Sequence, residues 1–138
     1  SRAYRWREGM LARLTRDHSL LQEQIDIGLI TEEEAAASGN RNLVTRALGV
    51  EDTVLLDLQE TDIAFGDVFL LCSDGLNDML ADDDIAAVLA AGMTLEQTAQ
   101  RLIDLANERG GRDNVSVIVV KAHEPPKKSG VMAKLLRK

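Results

Sequence analysis

The sequence predicts an α+β fold, and three observations carry that reading. A Gly-linked pair of short runs opens the chain as a hairpin would. Two apolar runs, Val68–Cys72 and Val115–Val120, have the length and composition of strands. Between and around them lie segments with helical spacing and N-terminal capping signatures.

The elements follow in order. Ala3–Arg7 and Met10–Thr15 flank Glu8-Gly9, the tight link of a hairpin. The polar cluster TRDHS comes next. Leu20, Leu21 and Ile25 then recur at helical spacing, with Gly28 near the end. Thr31 with Glu34 makes a capping box, the alanine run favours helix, and Gly39-Asn40 stops it. A third short helix is expected over Leu43–Leu48, ending at Gly49. Thr53–Thr61 alternates partially, with Leu56 and Leu58 against Asp57 and Gln59. Phe65-Gly66-Asp67 turns the chain. Val68–Cys72 is almost purely apolar and reads as a strand buried on both faces. Ala81–Ala91 is a helix whose first turn holds Asp82, Asp83 and Asp84, favourable at the positive end of the helix dipole. Thr94 and Gln97 box the next helix, and Leu95, Leu102, Ile103 and Ala106 give it a buried stripe. Gly110-Gly111 ends it. The tail EPPKKSGVMAKLLRK is basic and starts on prolines, so residues 123–138 read as a linker or frayed end after a domain at 1–122.

Composition narrows the function. The 138 residues are 45% hydrophobic and 28% charged, as in ordinary globular proteins, with a net charge of −7. That balance argues against a general affinity for nucleic acid or anionic lipid. The single cysteine, Cys72, lies inside an apolar run and cannot form an internal disulfide, which fits a reducing compartment, the cytoplasm. It reads as a small core residue. No apolar run approaches the length of a membrane span, and nothing at the start resembles a signal peptide. The chain opens SRAYRW, without Met and as if already inside a strand, so a fragment is expected.

Two carboxylates sit at strand edges. Asp74 follows the strand Val68–Cys72, and Asp113 precedes the strand Val115–Val120. If these strands pair antiparallel, both carboxylates meet at one rim of the sheet. Hard divalent cations want carboxylate oxygens, and close carboxylates need a cation to offset their repulsion. Gly75, Gly110 and Gly111 would let backbone pass close to a bound ion. Spacing alone leaves the bland reading open, since Asp-Gly after a strand is a turn signal and Asp113-Asn114 after Gly-Gly could be only a loop.

SRAYRW, LTRDHS, NLVTRALG, GDVFLLCSDGL and GGRDNVSVIVV occur in the order and spacing of the protein phosphatase 2C (PPM) family. Over Ser1–Lys121 the chain resembles the bacterial form of that Ser/Thr phosphatase. The resemblance implies a four-layer αββα fold, an antiparallel β-sandwich flanked by helices, of which this chain holds the C-terminal portion. It implies that Asp74 and Asp113 ligate manganese or magnesium, with two or more ions in the complete domain. It implies that 20–49 is the flap beside the active site, and that metal-activated water hydrolyses phosphoserine and phosphothreonine in proteins. Phosphorylated proteins and an opposing Ser/Thr kinase are the implied partners. The family's phosphate-binding Arg, its metal-bridging Asp-Gly element and its general-acid His have no match here. The Asp of a Gly-Asp pair would stand just before Ser1. The expectation is that this chain alone is inactive, and no residue in it is assigned a catalytic role. A non-catalytic regulatory or phosphoprotein-binding module of the same fold is the alternative, against which the retained Asp74 and Asp113 argue.

The remaining polar residues have structural readings. His18 is a hydrogen-bonded group and His123 is solvated. Arg46 makes a salt bridge anchoring the flap, or faces the cleft and attracts phosphate. Asp78 caps a helix or supports Asp74. Asp67 is a turn residue, and Tyr4 and Trp6 divide between core and surface. Half a sandwich also leaves an apolar face and strand edges uncovered, so the isolated chain is expected to be poorly soluble or to dimerise.

Overall fold

The computed structural model describes residues 1–38, 43–46, 49, 52–53 and 55–124. Among them, β1 (Arg2–Arg7), β2 (Met10–Arg13), β3 (Val68–Cys72) and β4 (Val117–Lys121) form one antiparallel sheet, in the order β2-β1-β3-β4. The helices are α1 (Leu20–Asp26), α2 (Glu32–Ala37), α3 (Asp74–Asn77), α4 (Asp82–Ala90) and α5 (Leu95–Glu108).

The opening hairpin forms as expected. Glu8 and Gly9 both have positive φ, 50° and 83°, which is the turn whose twist suits two-residue hairpins. The expected start signals also hold. Thr31 and Glu34 exchange side-chain and backbone bonds at the start of α2, and Thr94 and Gln97 do the same for α5. Asp84 accepts from the Ala81 amide at 3.0 Å, so an acidic side chain holds the start of α4 where the N-cap alanine has nothing to offer.

The core lies on one face of the sheet. Tyr4, Leu70 and Cys72 pack there against Leu76, Leu80, Ile85, Val88, Leu102 and Ala106 from the helical half. Tyr4 and Trp6, two residues apart, share that face rather than dividing between core and surface; Tyr4 is fully buried and Trp6 half-buried. A part-buried polar chain runs at the strand start. Arg2 donates to both Asp17 oxygens and to the Tyr4 hydroxyl, and that hydroxyl donates to Asp82 at 3.1 Å. Burial pushes the Tyr4 phenol up to about 12, so it stays a donor.

Several expectations are corrected. β3 is buried on one face only. Leu71 is 45% exposed, and its neighbours across the ladder, Ile118 and Val120, are 61% and 48% exposed. The sheet's second face is thus apolar and open. Residues 55–64 form no strand, and Leu55, Leu56 and Leu58 are exposed, because alternation needs a partner strand and an apolar layer to receive it. Leu43–Arg46 is not helical. Instead Val44 bridges Ser19, and the amides of Leu20 and Thr45 donate to the carbonyls of Leu43 and His18. Residues 47–48, the stop at Gly39-Asn40 and the tail from 125 onward lie outside the described residues. The last strand begins at Val117 rather than Val115.

Asp67 is more than a turn residue. It is 1% exposed and takes two bonds from Arg7, at 2.7 and 2.6 Å, and one from the Ala64 amide. The Arg7 guanidinium holds its carboxyl down at about 2, against an ordinary 3.8. A depressed carboxylate stabilises the fold above its unfolded value and loses that contribution as pH falls through its folded value. Acid unfolding followed by circular dichroism is therefore expected to gain a limb between pH ~4 and ~2 that Asp67→Asn removes. Leu70→Ala, at a fully buried site on the central strand, is expected to cost about 2–5 kcal/mol in urea unfolding.

Candidate metal centre

The register brings the two predicted carboxylates to one rim. Cys72 pairs with Val117 as the last rung of the β3–β4 ladder. Beyond it β3 turns into α3 at Asp74, while the chain entering β4 comes from Asp113 and Asn114. The start of β1 reaches the same rim, since Arg2 pairs with Cys72 on the other side.

Contacts at the rim are close. The Ser73 amide donates to the Ser116 carbonyl at 3.0 Å. The Ser73 hydroxyl donates to the Asn114 carbonyl at 3.1 Å and accepts from the Ser116 amide at 3.0 Å. Gly75 lies flat against the facing loop. A Cβ there would sit 2.3 Å from the Asn114 oxygen and 3.4 Å from that of Asp113. The glycine is needed for this approach, not for a left-handed backbone.

Asp74 and Asp113 are both exposed. Each accepts from the amide that follows it, Gly75 at 3.1 Å and Asn114 at 2.7 Å, through one oxygen. The second oxygen of each has no hydrogen-bond partner among the described residues, and neither carboxylate makes a salt bridge there. Other aspartates nearby are committed. Asp17 binds Arg2 and Arg13, Asp82 accepts from Tyr4, and Asp84 holds Arg109. A polar groove of about 480 Å³ adjoins Asp113, lined by Ile103, Asn107 and Arg112 among others, but does not include Asp74.

A divalent cation fits the donor set, because the free oxygens are hard, anionic and uncompensated. Two carboxylates fill only part of a coordination shell. No group of three or more His, Cys, Asp or Glu is arranged for a metal among the described residues.

The remaining candidates lie elsewhere. His18 Nε2 is 2.5 Å from Asp57 Oδ2, and Arg46 is 3.0 Å from Asp57 Oδ1 and also reaches the Leu55 carbonyl. Arg46 therefore makes the expected salt bridge, and His18 the expected hydrogen bond. Together they hold the Asp57 carboxyl below its usual range, His18 contributing most. Asp78 closes α3, its amide donating to the Asp74 carbonyl at 2.8 Å. Cys72 is buried, and burial pushes its thiol up, away from reactivity.

Sequence reasoning missed Ser73. As the residue before a helix it reads as an N-cap, yet its side chain makes no cap bond and reaches across to the other loop instead.

The same chain pattern recurs in known proteins. A putative protein phosphatase 2C-type of Streptococcus pyogenes is 41% identical over 113 residues, 82% of this chain and 46% of its own length. The serine/threonine phosphatase stp of Listeria monocytogenes is 38% identical over 120 residues, 87% of this chain and 48% of its own. The chain belongs to the protein phosphatase 2C family. Its fold agrees with that of the Mycobacterium tuberculosis serine/threonine phosphatase PstP/Ppp at a TM-score of 0.84 and 39% identity, over 89% of this chain and 52% of that one. The PstP catalytic domain solved with two manganese ions has a TM-score of 0.77 at 40% identity, over 89% of this chain and 50% of that one. No family model matches the chain. The chain spans about half the length of the curated phosphatase 2C relatives first matched, and corresponds to the C-terminal part of the catalytic domain. No described helix is long and apolar enough to cross a membrane.

Gly75→Ala drives a methyl into the Asn114 carbonyl and is expected to destabilise the rim by about 1–3 kcal/mol, read from urea unfolding of the folded chain.

Proposed function

We propose that this chain forms one wall of the metal centre of a protein Ser/Thr phosphatase, with Asp74 and Asp113 as ligands to manganese or magnesium. The observation that carries the proposal is the convergence of two uncompensated carboxylates at one sheet rim, in a chain of this family.

Bound metal would supply activated water and a hold on the phosphate. The chain's own residues do the positioning. The β3–β4 ladder fixes the separation of the loops, and Gly75 lets them touch. Each carboxylate keeps one oxygen tied to its own backbone and one free. That arrangement limits rotation of the carboxyl group before any ion arrives.

The domain reading extends from the same premise. Residues 1–122 belong to the phosphatase domain, 20–49 act as its flap, and 123–138 form a basic tail. Phosphorylated proteins are the substrates, an opposing Ser/Thr kinase is the partner, and the cytoplasm is the setting. Two carboxylates leave most of the coordination shell to water. The chain alone is therefore inactive, and the rest of the domain supplies the remaining ligands and the phosphate-binding groups.

The test is manganese-dependent hydrolysis of para-nitrophenyl phosphate by this chain and by an N-terminally extended protein carrying the whole domain. Activity is expected only in the extended protein. Asp74→Asn and Asp113→Asn should each lower it by more than about 100-fold at fixed manganese, beyond what loss of a supporting hydrogen bond does. Wild-type rates in both variants would sink the proposal.

A further inference from the structure

We infer that Ser73 is a positioning residue for this metal centre, its hydroxyl holding the Asp74 and Asp113 loops at a separation that one cation spans. The inference rests on the reading of Asp74 and Asp113 as ligands, and adds a third side chain that touches no ion itself.

The geometry is specific. The last regular rung of the ladder is Cys72–Val117. One residue later the two strands must part, since β3 coils into α3 while the other chain continues as a loop. The Ser116 amide then needs an acceptor. The Ser73 hydroxyl supplies it at 3.0 Å and passes its own proton to the Asn114 carbonyl at 3.1 Å. With the backbone bond from the Ser73 amide to the Ser116 carbonyl, one residue makes three bonds to the facing loop. Asp74 is the next residue along one chain, and Asn114 follows Asp113 on the other. A hydroxyl therefore sits between the two ligands through single peptide links on each side.

A serine at a helix start normally turns its oxygen back to the helix amides. Ser73 does not, although its backbone, φ −73° and ψ 165°, is that of an N-cap. The bond to the loop has won over the cap. The contact at Gly75 keeps the loops from approaching further, and the Ser73 hydroxyl keeps them from separating. Groups that orient ligands without touching the metal commonly change affinity by 10–100-fold when removed.

The experiment uses the extended protein carrying the whole domain. Manganese binding is measured by titration calorimetry, and amide hydrogen exchange at Ser116 is followed in the metal-free protein. Ser73→Ala is expected to weaken manganese binding by about tenfold and to speed Ser116 exchange. Ser73→Thr, which keeps the hydroxyl, is expected to restore both. Ser73→Cys, whose thiol bonds are long and weak, serves as a second disrupting variant should alanine prevent folding. Unchanged manganese affinity in the disrupted variant would overturn the role of Ser73, as would a threonine variant no better than alanine. Asp74→Asn separates the two premises. If it abolishes binding while Ser73→Ala has no effect, the positioning role fails and the metal reading stands. If Asp74→Asn binds manganese like wild type, the metal reading fails and the inference with it.

Discussion

Register in an antiparallel pair has no intermediate setting. Slipping β4 by one residue against β3 would turn Val117 and Val119 out of the core and carry Asp113 away from Asp74. The same rungs that bury Leu70 beneath the helices therefore fix the spacing of the rim. Hydrophobic burial supplies the energy and the ladder converts it into position. β1 reinforces this from the other side, because Tyr4 is paired with Leu70 and both are fully buried. A carboxylate pair has no attraction of its own to hold it together. Its proximity has to be imposed by contacts made elsewhere, and those contacts run down the middle of the sheet.

Charge is distributed to the same end. Most arginines with a described environment face a carboxylate: Arg2 with Asp17, Arg7 with Asp67, Arg46 with Asp57, Arg109 with Asp84. These pairs fasten loops to strands and helices to each other. The half-buried Arg7–Asp67 pair fixes the turn that feeds β3, and Arg109–Asp84 ties the end of α5 to the start of α4. Asp74 and Asp113 stand outside this scheme. An arginine close enough to pair with them would neutralise the charge that the proposed cation needs, and would compete with it.

Much of this was legible from residue types. The Glu8-Gly9 turn, the Thr31 and Thr94 boxes and the apolar run at 68–72 each rest on a local rule, and local rules survive into the fold. The placement of the Asp74 and Asp113 loops at one rim was also readable, once the two flanking strands were taken as antiparallel neighbours. What could not be read depends on partners distant in sequence. Leu56 and Leu58 alternate as in a strand but have no strand beside them among the described residues. Asp67 looks like any turn aspartate until Arg7, sixty residues away, closes on it. Leu43–Arg46 has a helix-like composition, yet the backbone bonds to His18 and Leu20 claim it first. The Ser73 hydroxyl had two plausible partners, and only the facing loop decides between them.

Those backbone bonds at 18–20 and 43–45 have a further effect. They bring the two ends of the intervening stretch together into a narrow neck, with the Asp57 pairs to His18 and Arg46 as an outer seal. Among the described residues between the ends little is buried: α1 buries no residue at all, and Ala35 is the buried side chain of α2. Chain closed at its base pays for extra length only logarithmically, about 0.6 kcal/mol for each doubling. Insertions and deletions there would leave the sheet's register untouched, so the length of this stretch can change without moving the strands.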